Sequence, residues 1–399
     1  MSGPVDPRRL VDSVEGADSE IAGQELANEG AIQDEADGLG PTDATSISQA
    51  ALEREPGGPL LARRKWPLPK QADPAAPLLE VTNLTTYFTL ESGTVKAVDG
   101  VSFRLDYGEA LGIAGESGCG KTTTALSLVQ ILPSNARIRE GSIKLMGIDL
   151  VPKTENQLRR YRWREISIVF QGAMNALNPV RRVRDQIAEP LEARLGQSPR
   201  DARKRAGELL ELVGIPRKRG TAFPHELSGG MRQRAMIAMA LACDPAIVIG
   251  DEPTTALDVM VQAQILELLV RLTRDLGLAM ILVTHDLPIV AQVCDRAAVM
   301  YAGEIVEMGE MATIYHDPRH PYTRMLFSAT PDLLGDEDVR SIPGAPPRLD
   351  REIAGCPFTP RCDSAFAPCA TTHPRRLEVA PGHEALCHLN DHLVAEKPA

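Results

Sequence analysis

Five apolar residues, Ala110 to Ala114, run into Gly115-x-x-x-x-Gly120-Lys121-Thr122, and a stretch with helical spacing follows from Thr122 to Leu132, ahead of Pro133. Glycines at these places let backbone N–H groups crowd around phosphate oxygens with no Cβ in the way. The helix that follows offers its N-terminus as an anion site. This is the P-loop pattern. It constrains the fold because strand, loop and helix must meet at the carboxyl edge of a mostly parallel sheet, which makes the chain α/β. Lys121 is expected to reach the β- and γ-phosphates of a nucleotide, and the Thr122 hydroxyl to ligate Mg²⁺. Gly115, Glu116, Ser117, Gly118, Cys119, Gly120 and Thr123 complete the binding loop. Cys119 reads as a small residue tolerated there rather than as a redox sensor.

The rest of the chain repeats the βα alternation. Order is expected to begin near Leu78-Leu79-Glu80-Val81, and short β-like runs continue to Leu105, with turn residues at Glu91-Ser92-Gly93 and Asp99-Gly100. Further strands are expected at Gly141 to Gly147, Ile166 to Phe170, Ala246 to Ile249 and Ala279 to Val283, with a helix from about Val261 to Leu276. Between about 172 and 240 the pattern is helical with Arg/Glu-rich faces, which reads as an inserted helical subdomain. Ahead of all this, residues 1–76 are rich in Ala, Gly, Asp and Glu and nearly free of aromatics. Such a segment cannot bury enough apolar area to offset chain entropy, so it reads as a disordered acidic tail of open role.

Asp251 and Glu252 end an apolar strand, where open α/β sheets place their ligands. Asp251 is expected to hold Mg²⁺ and Glu252 to be the general base for an attacking water. Between the P-loop and this acid pair lies Leu227-Ser228-Gly229-Gly230-Met231-Arg232-Gln233-Arg234. A P-loop, then LSGG, then an apolar strand ending in Asp-Glu resembles the ATP-binding cassette family from roughly Leu78 to the C-terminus.

The resemblance implies a P-loop NTPase with a β-rich N-terminal part, a helical subdomain and further site residues. Gln171 falls where the family has its Q-loop, a sensor of Mg²⁺ and water. His285 matches the switch histidine that contacts the γ-phosphate, and Thr255-Ala256-Leu257-Asp258 the D-loop. Phe88 or its neighbour Tyr87 matches the aromatic that stacks on adenine, and Phe88 is favoured by its place after Asn83-Leu84-Thr85. Ser228, Gly229 and Gly230 would cap the γ-phosphate held by a second head, so that ATP joins two heads and hydrolysis releases them. Phe223 to Pro245, Gly250 to Ile265, Val299 to Gly309 and His320-Pro321-Tyr322-Thr323 narrow the resemblance to the oligopeptide/dipeptide permease ATPases, and to the first of their two non-identical ATPase subunits.

Four cysteines close the chain in the spacing Cys356-x5-Cys362-x6-Cys369-x17-Cys387, with prolines between them. Such a set suggests a metal that substitutes for a core, and four thiolates suit either Zn²⁺ or an iron–sulfur cluster. The resemblance favours a [4Fe–4S] cluster, in a small Cys-rich C-terminal domain spanning 331–399. His383 and His388 stand nearby as alternative ligands.

The formal charge, 43 − 54 = −11, argues against a nonspecific nucleic-acid partner. No apolar run approaches the roughly 20 residues of a membrane span, and Met1 to Asp6 lacks a signal-peptide pattern. The chain is therefore expected at the cytoplasmic face of the membrane, held by partners. The resemblance implies two permease subunits, a second ATPase and an extracytoplasmic peptide-binding protein. It implies ATP-driven import of oligopeptides or dipeptides. Import of nickel or another small solute is the alternative. A soluble DNA-repair or translation ATPase is the third reading, disfavoured because there is one cassette and no long coiled coil.

Overall fold

A computed structural model of the chain describes residues 69, 71–73, 75–91, 93–172, 176–255, 257–329 and 342–395. The chain divides into two units, Met1–Ala50 and Ala51–Ala399, and all described residues belong to the second. Most of the acidic segment expected over 1–76 lies outside the described residues. Its last few described residues already touch the fold, since Asp73 N–H donates to Met146 O at 3.0 Å.

Two sheets carry the structure. The first is antiparallel, in the order β2-β1-β4-β5, from β1 (Leu79–Leu90), β2 (Gly93–Leu105), β4 (Ala136–Leu145) and β5 (Ile148–Asp149). The second has the order β11 (Arg376–Ala380), β12 (His383–Leu386), β10 (Glu304–Glu310), then β9-β3-β8-β7-β6. Its centre is parallel: β6 (Ile166–Val169), β7 (Ile247–Asp251), β8 (Ala279–Thr284), β3 (Ala110–Ala114) and β9 (Arg296–Tyr301). Every residue of β3, β7 and β8 is buried, as a parallel strand covered on both faces requires.

Strand alternation splits the core in two. Leu111, Ile113, Ile247, Ile249, Ile281 and Val283 face Leu79, Val81, Phe103 and Leu105 of the antiparallel sheet. Ala110, Ala114, Val248, Met280 and Leu282 face the opposite way, toward helices. Each strand is thus held by two apolar layers at about 25 cal/mol per Å² of apolar area buried.

Helix α1 (Lys121–Leu128) follows β3 directly. It stops short of the expected Leu132, because Gln130 takes a left-handed φ of 50°. Between β6 and β7 lie α2 (Val183–Leu195), α3 (Pro199–Leu212) and α4 (Gly229–Ala240). The α2–α3 corner has Gly196 at φ 65° closing one helix and Ser198-Pro199 opening the next, where Ser198 Oγ accepts from Asp201 N–H at 3.2 Å. Helix α5 (Val259–Leu276) buries Ile265, Leu268, Leu269 and Leu272, the i, i+3, i+4, i+7 face of an amphipathic helix. Asp258 caps its start through Val261 N–H at 2.9 Å, and Gly277 ends it at φ 60°.

The C-terminal region is sewn onto the main sheet. Strand β10 (Glu304–Glu310) runs antiparallel to β9 and pairs with β12 (His383–Leu386), which in turn pairs with β11 (Arg376–Ala380). Helices α6 (Leu287–Val293), α7 (Met311–His316) and α8 (Pro321–Ser328) pack nearby, and His320 caps α8 by accepting Tyr322 N–H on Nδ1 at 3.0 Å.

Candidate nucleotide site

The loop between β3 and α1 is shaped by glycines that admit no substitute. At Gly115 (φ 155°) a Cβ would sit 2.2 Å from Met300 O, and at Gly120 (φ 108°) 2.1 Å from Ala97 O. The wrapped loop sets Lys121 at its base, 5% exposed, with Nζ donating to Gly115 O at 2.7 Å and Glu116 O at 3.0 Å. Thr122 Oγ1 donates to Asp251 Oδ1 at 3.1 Å, so the two residues read as Mg²⁺ ligands meet although 129 positions separate them. Burial pushes the Asp251 carboxyl up, and the Glu252 charge adds to this, while Thr122 and Lys121 oppose it. A divalent cation between these oxygens would relieve that cost.

Glu252 follows at the strand end in a left-handed conformation, φ 47°, with its N–H bonded to Val283 O at 2.8 Å. A non-glycine residue held there costs of order 1–3 kcal/mol and persists where the surroundings impose it. Three side chains meet its carboxylate. Gln171 Nε2 donates to Oε2 at 2.7 Å, Thr255 Oγ1 donates to Oε2 at 3.0 Å, and His285 Nδ1 lies 3.2 Å from Oε1. Burial pushes this carboxyl up, but the hydrogen bonds from His285 and Thr255 and the charges of His285 and Lys121 outweigh it, so Glu252 is held below the usual carboxylate value. The group is therefore ionised at neutral pH, as a base for water must be.

Other sequence candidates stand apart from this cluster. Ser228 is exposed and caps its own helix, α4, by accepting Met231 N–H at 3.3 Å. Among the described residues no hydrogen bond ties Ser228, Gly229 or Gly230 to the loop of the same chain. Phe88 and Tyr87 are adjacent on β1, both half-buried. The Tyr87 hydroxyl donates to Asp99 Oδ1 at 3.1 Å, and its pKa is pushed up to about 12 by burial and by Asp99, whereas the Phe88 ring has no such tie. Ala256 of the D-loop segment lies outside the described residues.

The structure adds two residues that sequence reasoning did not place at the loop. Tyr322 accepts Glu116 N–H on its hydroxyl at 2.8 Å, and Arg361 makes a two-pronged ion pair with the Glu116 carboxylate, at 2.6 and 2.9 Å. Tyr322 lies in the His-Pro-Tyr motif and Arg361 between two of the cysteines, the one signal in the sequence that could have drawn attention to it.

Cys356, Cys362, Cys369 and Cys387 line one small cavity with His320, Phe358 and His388. Burial raises the thiol pKa of Cys356, Cys362 and Cys387, the last to about 12. The His320 ring is fully buried there, and among the described residues its Nε2 has no hydrogen-bond partner. Four soft donors around one void fit a thiolate-bound metal group. Among the described residues, however, no three His, Cys, Asp or Glu side chains stand close enough to hold a single ion. His383 is not in this set. Its Nε2 is 2.7 Å from Glu307 Oε1 in a fully buried pair, which overturns its reading as an alternative ligand. His388 lines the cavity, but its ring nitrogens face Asp391 Oδ2 and Thr372 O, both at 2.9 Å.

Comparison with known proteins agrees with this geometry. The sequence profile described as ABC transporter matches residues 98–255, and that of the oligopeptide/dipeptide transporter C-terminal region matches residues 306–369. The probable peptide ABC transporter ATP-binding protein y4tR of Sinorhizobium fredii is 45% identical over 330 residues, covering 81% of this chain and 98% of that protein. The dipeptide transport ATP-binding protein DppD of Bacillus subtilis is 45% identical over 318 residues, covering 79% and 95%. The oligopeptide transport ATP-binding protein OppD of Mycobacterium tuberculosis is 48% identical over 320 residues, but the match covers 78% of this chain and 52% of that one, so the chain spans about half the length of this relative. Among solved structures, the dimeric MJ0796 cassette of a bacterial ABC transporter superposes with a TM-score of 0.53 at 28% identity, over 58% of this chain and 98% of that one. CbiO1 of Clostridium perfringens gives 0.53 at 29%, over 60% and 91%. The chain belongs to the ATP-binding proteins of ABC transporters, in the branch that carries the oligopeptide/dipeptide transporter C-terminal region.

Proposed function

We propose that this chain is the ATP-hydrolysing subunit of an importer of oligopeptides or dipeptides. The observation that carries the reading is the Glu252 carboxylate, held by Gln171, Thr255 and His285 beside the Thr122–Asp251 pair. The peptide class rests on the names of the relatives and on the matched C-terminal region.

In this reading the loop amides and Lys121 neutralise the β- and γ-phosphates. Thr122 and Asp251 hold Mg²⁺, which supplies charge stabilisation to the phosphate oxygens. Glu252 takes the proton of the attacking water. His285 and Gln171 fix the direction of that carboxylate and sense the γ-phosphate. Ser228, Gly229 and Gly230 project the N-terminus of α4 toward nucleotide on a second, non-identical head, and that head's own LSGG segment closes this one. Two permease subunits and an extracytoplasmic peptide-binding protein complete the assembly. Attachment to the cytoplasmic face of the membrane runs through those permeases; no described helix is itself long and apolar enough to cross a membrane. The acidic segment over 1–76 is assigned no step.

For the cysteine cavity we favour a [4Fe–4S] cluster over Zn²⁺. The preference rests on the resemblance to peptide-transporter ATPases and on the four cysteines lining one cavity. The cluster's role is to hold the C-terminal segment. Protein purified without oxygen is expected to be brown and to contain iron and sulfide in equal amounts; colourless protein with stoichiometric zinc contradicts this.

The nucleotide reading is tested at Lys121. Lys121→Ala is expected to weaken equilibrium ATP binding by about 10–100-fold, the loss of hydrogen bonds to a charged group. Binding equal to wild type would remove the loop from the mechanism.

A further inference from the structure

The Arg361 side chain is 3% exposed, on the short turn Thr359–Arg361 between Cys356 and Cys362. All three of its nitrogens donate. Nε donates to Pro343 O at 2.8 Å, and Nη1 and Nη2 grip the two carboxylate oxygens of Glu116 at 2.6 and 2.9 Å, with the Tyr301 hydroxyl 3.4 Å from Nη1. A two-pronged guanidinium–carboxylate pair fixes orientation as well as distance. Glu116 is the residue after Gly115, inside the nucleotide loop, and its other polar groups are also tied. Its N–H goes to Tyr322 and its carbonyl receives Lys121 Nζ. Both Arg361 and Tyr322 come from the C-terminal region, 245 and 206 positions from Glu116.

The turn that presents Arg361 is itself shut by the cysteine segment. Cys356 N–H donates to Cys369 O at 2.8 Å and Thr359 Oγ1 to the same oxygen at 2.9 Å. Phe358 packs between that cavity and the loop, with ring centroids 5.2 Å from Tyr301 and 5.3 Å from Tyr322. If the segment opened, Arg361 would be withdrawn and Glu116 would keep a carboxylate without its partner.

The geometry points to Arg361 as a positioning residue for the nucleotide loop, one that makes ATP affinity depend on the folded cysteine segment. This rests on the nucleotide reading above. Arg361 does not touch the phosphates; it acts through Glu116, which sets the carbonyl that Lys121 Nζ uses as its second anchor.

The test is a double-mutant cycle in the full chain, read as equilibrium ATP affinity, with the melting of the nucleotide-free protein followed in parallel. Arg361→Met keeps an apolar stem under Tyr301 and Phe358 but loses the fork. It is expected to weaken ATP binding by about 10–100-fold, as small displacements of a binding loop do. Glu116→Ala removes the same fork from the loop side and is expected to give a similar loss, with lower melting because the buried Arg361 guanidinium loses its partner. The double variant is expected to be no worse than the weaker single, and Arg361→Lys, which keeps the charge without the fork, to fall between. Wild-type affinity in both single variants overturns the proposal, and so do losses that multiply in the double. Wild-type protein that binds no ATP in the same assay overturns the nucleotide reading itself, which is a distinct result.

Discussion

Glu252→Gln is expected to lower ATP hydrolysis by about 10²–10⁴-fold, the range for loss of a general base, with nucleotide binding retained. The amide has nearly the shape of the carboxylate and can still accept from Gln171 and Thr255, so the local structure should hold. It cannot accept a proton from water. Lys121 and the Thr122–Asp251 pair are untouched, so ATP should still bind and two heads should stay joined. The wild-type carboxyl is held below its ordinary value, so the acid limb of hydrolysis against pH should lie under the usual carboxylate range. Sign and cause agree: His285 and Thr255 favour the ionised form, and activity is lost only as falling pH protonates it. Single-turnover hydrolysis beside equilibrium binding checks this, and hydrolysis close to wild type would move the base elsewhere.

Ser228→Arg is expected to reduce hydrolysis by the assembled transporter by about 10³–10⁵-fold, the value of charge stabilisation supplied in trans. The chain's own ATP affinity should stay as it was. Ser228 is exposed, and among the described residues its hydroxyl does no more than cap α4. Losing that cap costs about 1 kcal/mol. The helix remains anchored by buried Ala235, Met236, Ile237 and Ala238, so the fold should survive. An arginine there sets a bulky cation where a second head would close. Unchanged hydrolysis by the assembly would mean that this surface faces no second head.

The parallel core was legible because its chemistry is local. Residues 110–114, 247–250 and 279–283 are runs without a polar side chain, the pattern of strands covered on both faces. The Gly-rich loop was legible for a similar reason, since its glycines answer steric demands that only a wrapped loop makes. The convergence on Glu252 was not: Gln171 and His285 are 81 and 33 positions away, and only family resemblance singled them out. The end of α1 was missed because Gln130 turns left-handed before Pro133 is reached. His383 looked like a spare ligand because buried hydrogen-bonded pairs leave no mark in sequence; its partner Glu307 lies 76 positions upstream, on β10. Pairing of β12 with β10 likewise joins segments far apart in the chain, so spacing alone drew the cysteine region as a separate piece.

The most direct test of the central claim is to purify the chain from membranes through a tag and measure ATP hydrolysis by what is recovered, with and without a peptide-loaded binding protein. The account predicts that two permease subunits and a second ATPase come with it. Hydrolysis should rise when the loaded binding protein is added, and the rise should vanish in Glu252→Gln. Recovery without membrane partners, or hydrolysis indifferent to peptide, would contradict it.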